Sequence, residues 1–148
     1  VAAFGGYMTL ASKMLVNKIL CVNVHPADLR ITRDGKPAYT GDNAVEQAME
    51  LGEPHLSSTT HIAIPKKDEG PILMVSAPMK TDYSKYQANR EKSIKDNQSN
   101  LKEFGDWKIF PLTLEYIARG FYQRDERGAI YYQGEAIPKG ILYPEGNQ

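Results

Sequence analysis

Ile19-Leu20-Cys21-Val22-Asn23-Val24-His25-Pro26 is an apolar run that ends on an amide, an imidazole and a proline. Alternation along a strand puts Asn23 and His25 on one face, and Val22 and Val24 on the other. Pro26 removes a ladder donor and stops the strand. Upstream, Val1-Ala2-Ala3-Phe4 reads as the tail of a buried strand, Gly5-Gly6 as a turn, and Leu10, Met14 and Leu15 as the apolar face of a helix. Strand, helix, strand is a βαβ unit, and such units build parallel sheets. Ligands bind at the carboxyl ends of strands in open sheets of this kind. Asn23 and His25 are therefore either the polar finish of a fraying strand or two members of a site.

Working outward, Asp28 to Gly41 is rich in turn residues and reads as a loop. Asp42 is placed to N-cap a helix with Ala44, Val45, Ala48, Met49 and Leu51 on its inner face, and Gly52 ends it. Residues 57–64 and 71–77 are β-branched and apolar, and the polar link between them predicts an antiparallel hairpin. Thr81 to Glu103 is strongly polar, an exposed helix or a partly mobile segment. Asp106 to Arg119 carries a helical apolar pattern, with Pro111 kinking it or opening its regular part. Phe121-Tyr122-Gln123 and Ala129-Ile130-Tyr131-Tyr132 predict a last strand pair. The expected class is α/β: a mostly parallel, twisted, Rossmann-like sheet with flanking helices, an antiparallel hairpin and a C-terminal strand pair, in one domain over residues 1–148.

The 148 residues are enough for one domain with a real core. Lys plus Arg and Asp plus Glu are both 18, so no basic field recommends nucleic acid as a partner. The apolar runs are shorter than the roughly 20 residues of a membrane span, and no cleavable leader opens the chain. The single cysteine, Cys21, excludes an internal disulfide and fits a reducing, cytoplasmic setting.

Other chemistry is thin on the residues alone. Asp68 sits among ordinary turn residues, Lys66 to Gly70, and reads locally as part of a solvated loop. His61 is as well suited to holding a backbone carbonyl as to facing a cleft. His55, His61 and Cys21 lack zinc-site spacing, and there is no nucleophile elbow or phosphate loop.

Taken in order, however, the pieces form a pattern. Gly6-Tyr7-Met8 follows a strand, Asn23-Val24-His25-Pro26 ends the next, and Thr59-Thr60-His61 is followed seven residues on by Asp68 and then Gly70-Pro71-Ile72-Leu73. Asp106-Trp107-Lys108-Ile109-Phe110-Pro111 and Ile117-Ala118-Arg119-Gly120 close the series ahead of a strand pair. This order, from residue 1 to about residue 133, resembles the folate-dependent formyltransferase family.

The resemblance implies transfer of a formyl group from 10-formyltetrahydrofolate to a small primary amine, most simply that of glycinamide ribonucleotide in purine biosynthesis, with no metal. It matches Asn23, His25 and Asp68 to the catalytic residues, with His61 in support. It puts Gly6, Tyr7, Met8 and Leu10 in the folate-side wall, the loop with Ile64, Lys67 and Gly70 over the pterin, and Asp106 at the acceptor. An amine attacking a formyl carbon builds an oxyanion and an ammonium, so donors and a proton path suit the chemistry. The chain departs from the family at Ala27-Asp28-Leu29-Arg30 and the longer loop after it, and at Asp106-Trp107, where the family has Glu-His. The family's first half, with its phosphate loop, is expected ahead of Val1 or on a second chain, and a homo-oligomer is the other partner implied. Hydrolysis of the formyl donor, transfer to an amino sugar or methionyl-tRNA, and a non-catalytic folate-binding fragment are the alternatives.

Overall fold

The computed structural model describes residues 1–4 and 19–143. The helix expected around Leu10, Met14 and Leu15 lies outside the described residues. β1 (Ala2–Phe4) runs parallel to β2 (Cys21–His25), with Phe4 level with Asn23. Within the loop expected over Asp28 to Gly41, β3 (Thr32–Arg33) pairs with β4 (Lys36–Pro37). Asp34 and Gly35, at φ 51° and 74°, make the two-residue turn, as an Asp-Gly pair does in tight hairpins.

The helix Ala44–Glu50 starts from Asn43 rather than Asp42, and no side chain caps its first turn. Ala44, Val45, Ala48 and Met49 are buried as their spacing requires, but Leu51 is 54% exposed. The helix has ended by then, and Gly52 at φ 76° turns the chain away. Next come β5 (His55–Leu56), β6 (Thr59–Ile62), β7 (Ile72–Val75) and β8 (Met79–Lys80). The expected hairpin is β6 against β7, and β5 pairs with β8.

Arg90–Leu101 is a helix that runs through a π-helical turn, Lys102–Asp106, into the helix Trp107–Ala118. The first of these is docked, and its inner face is mixed, with Ser93 and Asn97 buried alongside Leu101. Asn97 is buried, donates to the Asp82 and Ser93 carbonyls and accepts from the Asp82 amide. Hydrogen bonds interrupt the apolar stripe there, leaving only Ile94 and Leu101 on the core, too few for hydrophobic periodicity to announce the burial. Pro111 lies inside the second helix rather than at its start.

β9 (Tyr122–Arg124) and β10 (Ile130–Tyr132) form the expected pair, extended by β11 (Glu135–Ala136). β12 (Ile141–Leu142) returns parallel to β7. The main sheet has the order β1-β2-β6-β7-β12, its outer pairings parallel and its inner two antiparallel. The α/β class with an antiparallel hairpin is what the chain adopts.

Two cores hold this sheet. Val22, Ile62, Leu73 and Ile130 pack with Phe110, Leu114 and Ile117. The second core joins Ala27, Tyr39, Val45, Met49, Leu56 and Leu101. Each large apolar side chain buried contributes about 1.5–3 kcal/mol. A one-residue slip of β2 would exchange Val22 for Asn23 in the first core, so that packing fixes which side chains face the other way.

Candidate active site

β2 and β6 are paired so that Asn23 lies opposite His61 and His25 opposite Thr59. All four side chains therefore project from one face, and the β6–β7 pairing skips Leu73 opposite Thr60 and His61, a β-bulge on the β7 side. The Thr59 hydroxyl donates to the Ala27 carbonyl at 2.7 Å and accepts from the Leu29 amide at 3.2 Å, holding the turn that follows Pro26.

The hairpin link brings Asp68 beneath this face. Asp68 is 6% exposed and has a left-handed backbone, φ 58°, a conformation Asp and Asn tolerate better than most residues. Its Oδ2 accepts from the Gly41 amide at 2.8 Å. Its Oδ1 lies 3.6 Å from His25 Nδ1 and 3.7 Å from His61 Nε2. His25, 4% exposed, donates from Nε2 to the Tyr39 carbonyl at 3.0 Å, so Nδ1 is the nitrogen turned toward the carboxylate. Asn23, half-buried, has its Nδ2 3.2 Å from His61 Nε2.

The remaining expected site residues are spread around this centre. Ile64 packs on the first core, and exposed Lys67 pairs with Asp42 at 3.3 Å. Gly70 is buried against the Ile62 carbonyl. Gly6, Tyr7, Met8 and Leu10 lie outside the described residues. Asp106 sits in the π-helical turn; its Oδ1 and the Ser58 Oγ are buried with no hydrogen-bond partner among the described residues. Burial pushes the Asp106 carboxyl above the usual carboxylate range, offset by Ser58, Lys102 and the charge of His25. A cleft of about 520 Å³ opens beside Asp68, lined in part by Leu29, Pro37, Gly70, Ile130 and Ile137. Among the described residues, no three or more His, Cys, Asp or Glu are grouped to hold a metal ion.

A carboxylate pinned by a backbone amide, two histidines and an amide on one face of a mixed sheet can be set beside known proteins. No family model matches the chain. It is 29% identical over 138 residues to the human trifunctional purine biosynthetic protein adenosine-3, covering 91% of this chain and 12% of that protein. The phosphoribosylglycinamide formyltransferase of Coxiella burnetii superposes with a TM-score of 0.69 at 21% identity, over 96% of this chain and 60% of that one. A formyltetrahydrofolate deformylase from Pseudomonas syringae superposes with a TM-score of 0.62 at 15% identity, over 93% of this chain and 39% of that one. The chain has the formyltransferase fold. The resemblance read from its residues stands, and the chain spans about three-fifths of the length of the Coxiella structure.

Within this formyltransferase fold, burial is the main influence that lowers the pKa of His61, to about 4 from 6.5; the negative charge of Asp68 raises it and the positive charge of His25 lowers it further. Between those two values the unfolded chain takes up a proton that the folded chain refuses. Stability is therefore expected to fall as pH drops from about 6.5 toward about 4, and to be free of this contribution to pH dependence above that window. Urea midpoints at pH 7.5 and pH 5, for wild type and His61→Gln, measure it: the substitution should flatten the difference.

Two contributors to the site were missed in the sequence: the Tyr39 carbonyl and the Gly41 amide, both backbone groups of the loop after Asp28. Backbone partners leave no residue-type signal. Only the glycine preceding Asp42 hinted at a tight approach, and it adopts φ 75° beside Lys67.

Proposed function

We propose that this chain carries the catalytic part of a formyl transfer from 10-formyltetrahydrofolate to a primary amine, most simply that of glycinamide ribonucleotide in purine biosynthesis. The observation that carries the reading is the buried Asp68 carboxylate, bonded to the Gly41 amide and facing His25, with the Asn23 amide alongside. The formyltransferase fold supports it.

The amine nitrogen adds to the formyl carbon, the carbonyl electrons move to oxygen, and the nitrogen becomes an ammonium. The Asn23 N–H donates to that oxyanion. His25 Nε2–H can add a second bond by exchanging the Tyr39 carbonyl for the oxyanion. Asp68 keeps His25 oriented and accepts the ammonium proton through water. That proton is then delivered to the folate nitrogen as the bond from carbon to it breaks, leaving a formamide and tetrahydrofolate. Asp106, with a buried and unpartnered oxygen, is the group we assign to holding the acceptor. Gly6, Tyr7, Met8, Leu10, Ile64, Lys67 and Gly70 complete the folate side of the proposal. The setting we propose is the cytoplasm, consistent with a free, buried Cys21.

A second reading puts water in the amine's place, and the deformylase likeness supports it. The two separate on one assay. Incubated with 10-formyltetrahydrofolate and glycinamide ribonucleotide, the chain should release tetrahydrofolate only when the amine is present, and Asn23→Ala should slow it by about 10²-fold. Formate release without amine means hydrolysis. Folate binding with no turnover in either condition, even with the family's expected first half supplied, would sink both enzyme readings.

A further inference from the structure

We infer that His61 is a positioning residue: it commits one N–H of the Asn23 amide to its own Nε2 and thereby aims the amide's other N–H at the oxygen of the bound formyl group. The inference rests on the formyl-transfer reading for the last step, but the pairing itself stands on the geometry of β2 and β6.

The protonation of His61 is decided by its neighbours. Its Nδ1 is 3.2 Å from the Ile62 carbonyl, which can only accept, so Nδ1 carries the proton. The ring is 2% exposed, and a second proton would bury a cation there. Nε2 is therefore a bare acceptor. The Asn23 atom 3.2 Å away must then be the NH₂ nitrogen and not the amide oxygen, which settles which way Asn23 points. Among the described residues this is the sole side-chain hydrogen bond of Asn23, so its second N–H has no protein partner there.

Asp68 Oδ1 also lies near Nε2, at 3.7 Å, which is beyond a hydrogen bond, and a bare nitrogen has no proton to give it. Asp68 Oδ1 is about as far from His25 Nδ1, 3.6 Å, as from His61 Nε2, and what sets His61 apart is its 3.2 Å contact with the Asn23 amide. A planar amide held at one N–H keeps the other at a fixed angle to it, which is the pre-organisation that an oxyanion donor requires. The unbroken β2–β6 register, which sets Asn23 directly opposite His61, makes the alignment possible.

Nitrogen-15 NMR of the full chain tests this without turnover. In wild type, His61 should show a protonated Nδ1 and a bare Nε2, and one Asn23 side-chain amide proton should exchange slowly with solvent. His61→Leu should lose that protection, and His61→Gln, whose amide oxygen can accept the same bond, should keep most of it. In the transfer assay His61→Leu should lower kcat by about 10²-fold with the KM for the formyl donor unchanged, and His61→Gln should recover most of the loss. A protonated Nε2, an Asn23 amide unchanged in His61→Leu, or a His61→Leu kcat equal to wild type would overturn the inference. Wild-type chain that shows the expected spectra and no transfer would instead overturn the formyl-transfer reading while the pairing stands.

Discussion

Asp68→Asn is expected to cut formyl transfer by about 10³-fold while the chain stays folded. Asparagine has nearly the same shape, tolerates the left-handed backbone that Asp68 adopts, and offers a carbonyl oxygen to the Gly41 amide, so the 2.8 Å bond that anchors the loop can persist. What disappears is the negative charge 3.6 Å from His25 Nδ1 and the group we propose as the acceptor of the ammonium proton. Asp68→Ala removes the anchor as well and adds the cost of a left-handed residue with no polar side chain, on the order of 1 kcal/mol. The pair of variants separates charge from position: similar kcat values in both mean that charge carries the effect. A far slower Asp68→Ala means that the Gly41 bond matters in its own right. Turnover of Asp68→Asn near the wild-type value would show that the carboxylate is not on the proton's path.

The legible part of this protein is the part governed by side-chain periodicity. Apolar Val22 and Val24 against polar Asn23 and His25 told the two faces of β2 apart, and the β-branched runs on either side of Pro65 to Gly70 marked β6 and β7. Asp68 shows where that reasoning stops. Its neighbours are turn residues, and nothing within the loop distinguishes a solvated aspartate from one that is 6% exposed. Its burial is created by Gly41, distant in sequence, and by histidines on two strands, so only the ordered resemblance to a family pointed to it. The ribbon Thr32–Pro37 escaped because two-residue strands carry no period. The misplaced N-cap and the exposure of Leu51 followed from a helix that starts one residue later than an Asp42 cap would place it and ends one residue before its apolar pattern does. The docked face of Arg90–Leu101 was hidden because polar Ser93 and Asn97, the latter satisfied by hydrogen bonds, share it with Leu101 and Ile94.

Gly70→Ala should be the most damaging methyl that can be added to the described chain. A Cβ at Gly70 would stand 1.7 Å from the Ile62 carbonyl oxygen and 2.9 Å from its carbon. Neither atom can move freely, since that carbonyl accepts from His61 Nδ1 and the Ile62 amide donates to the Pro71 carbonyl at 2.9 Å. Gly105 is a milder case: its added Cβ would meet the Ser58 hydroxyl at 2.3 Å, which can rotate aside, and the Ser58 Cβ at 2.9 Å, which cannot, but no backbone atom within that reach. Relief at Gly70 must come from shifting the loop that carries Asp68. We expect about 3 kcal/mol of lost stability, the upper range for forcing an extra methyl into a packed site. Turnover at a temperature where the variant remains folded should fall by a further factor of about 10², the usual cost of a displacement near 1 Å at a catalytic group. Denaturant midpoints give the first quantity and assays on the folded fraction give the second. A stable Gly70→Ala chain with wild-type turnover would mean that the loop can carry Asp68 to the histidines by another path, and the tight passage beneath Ile62 would then have no part in building the site.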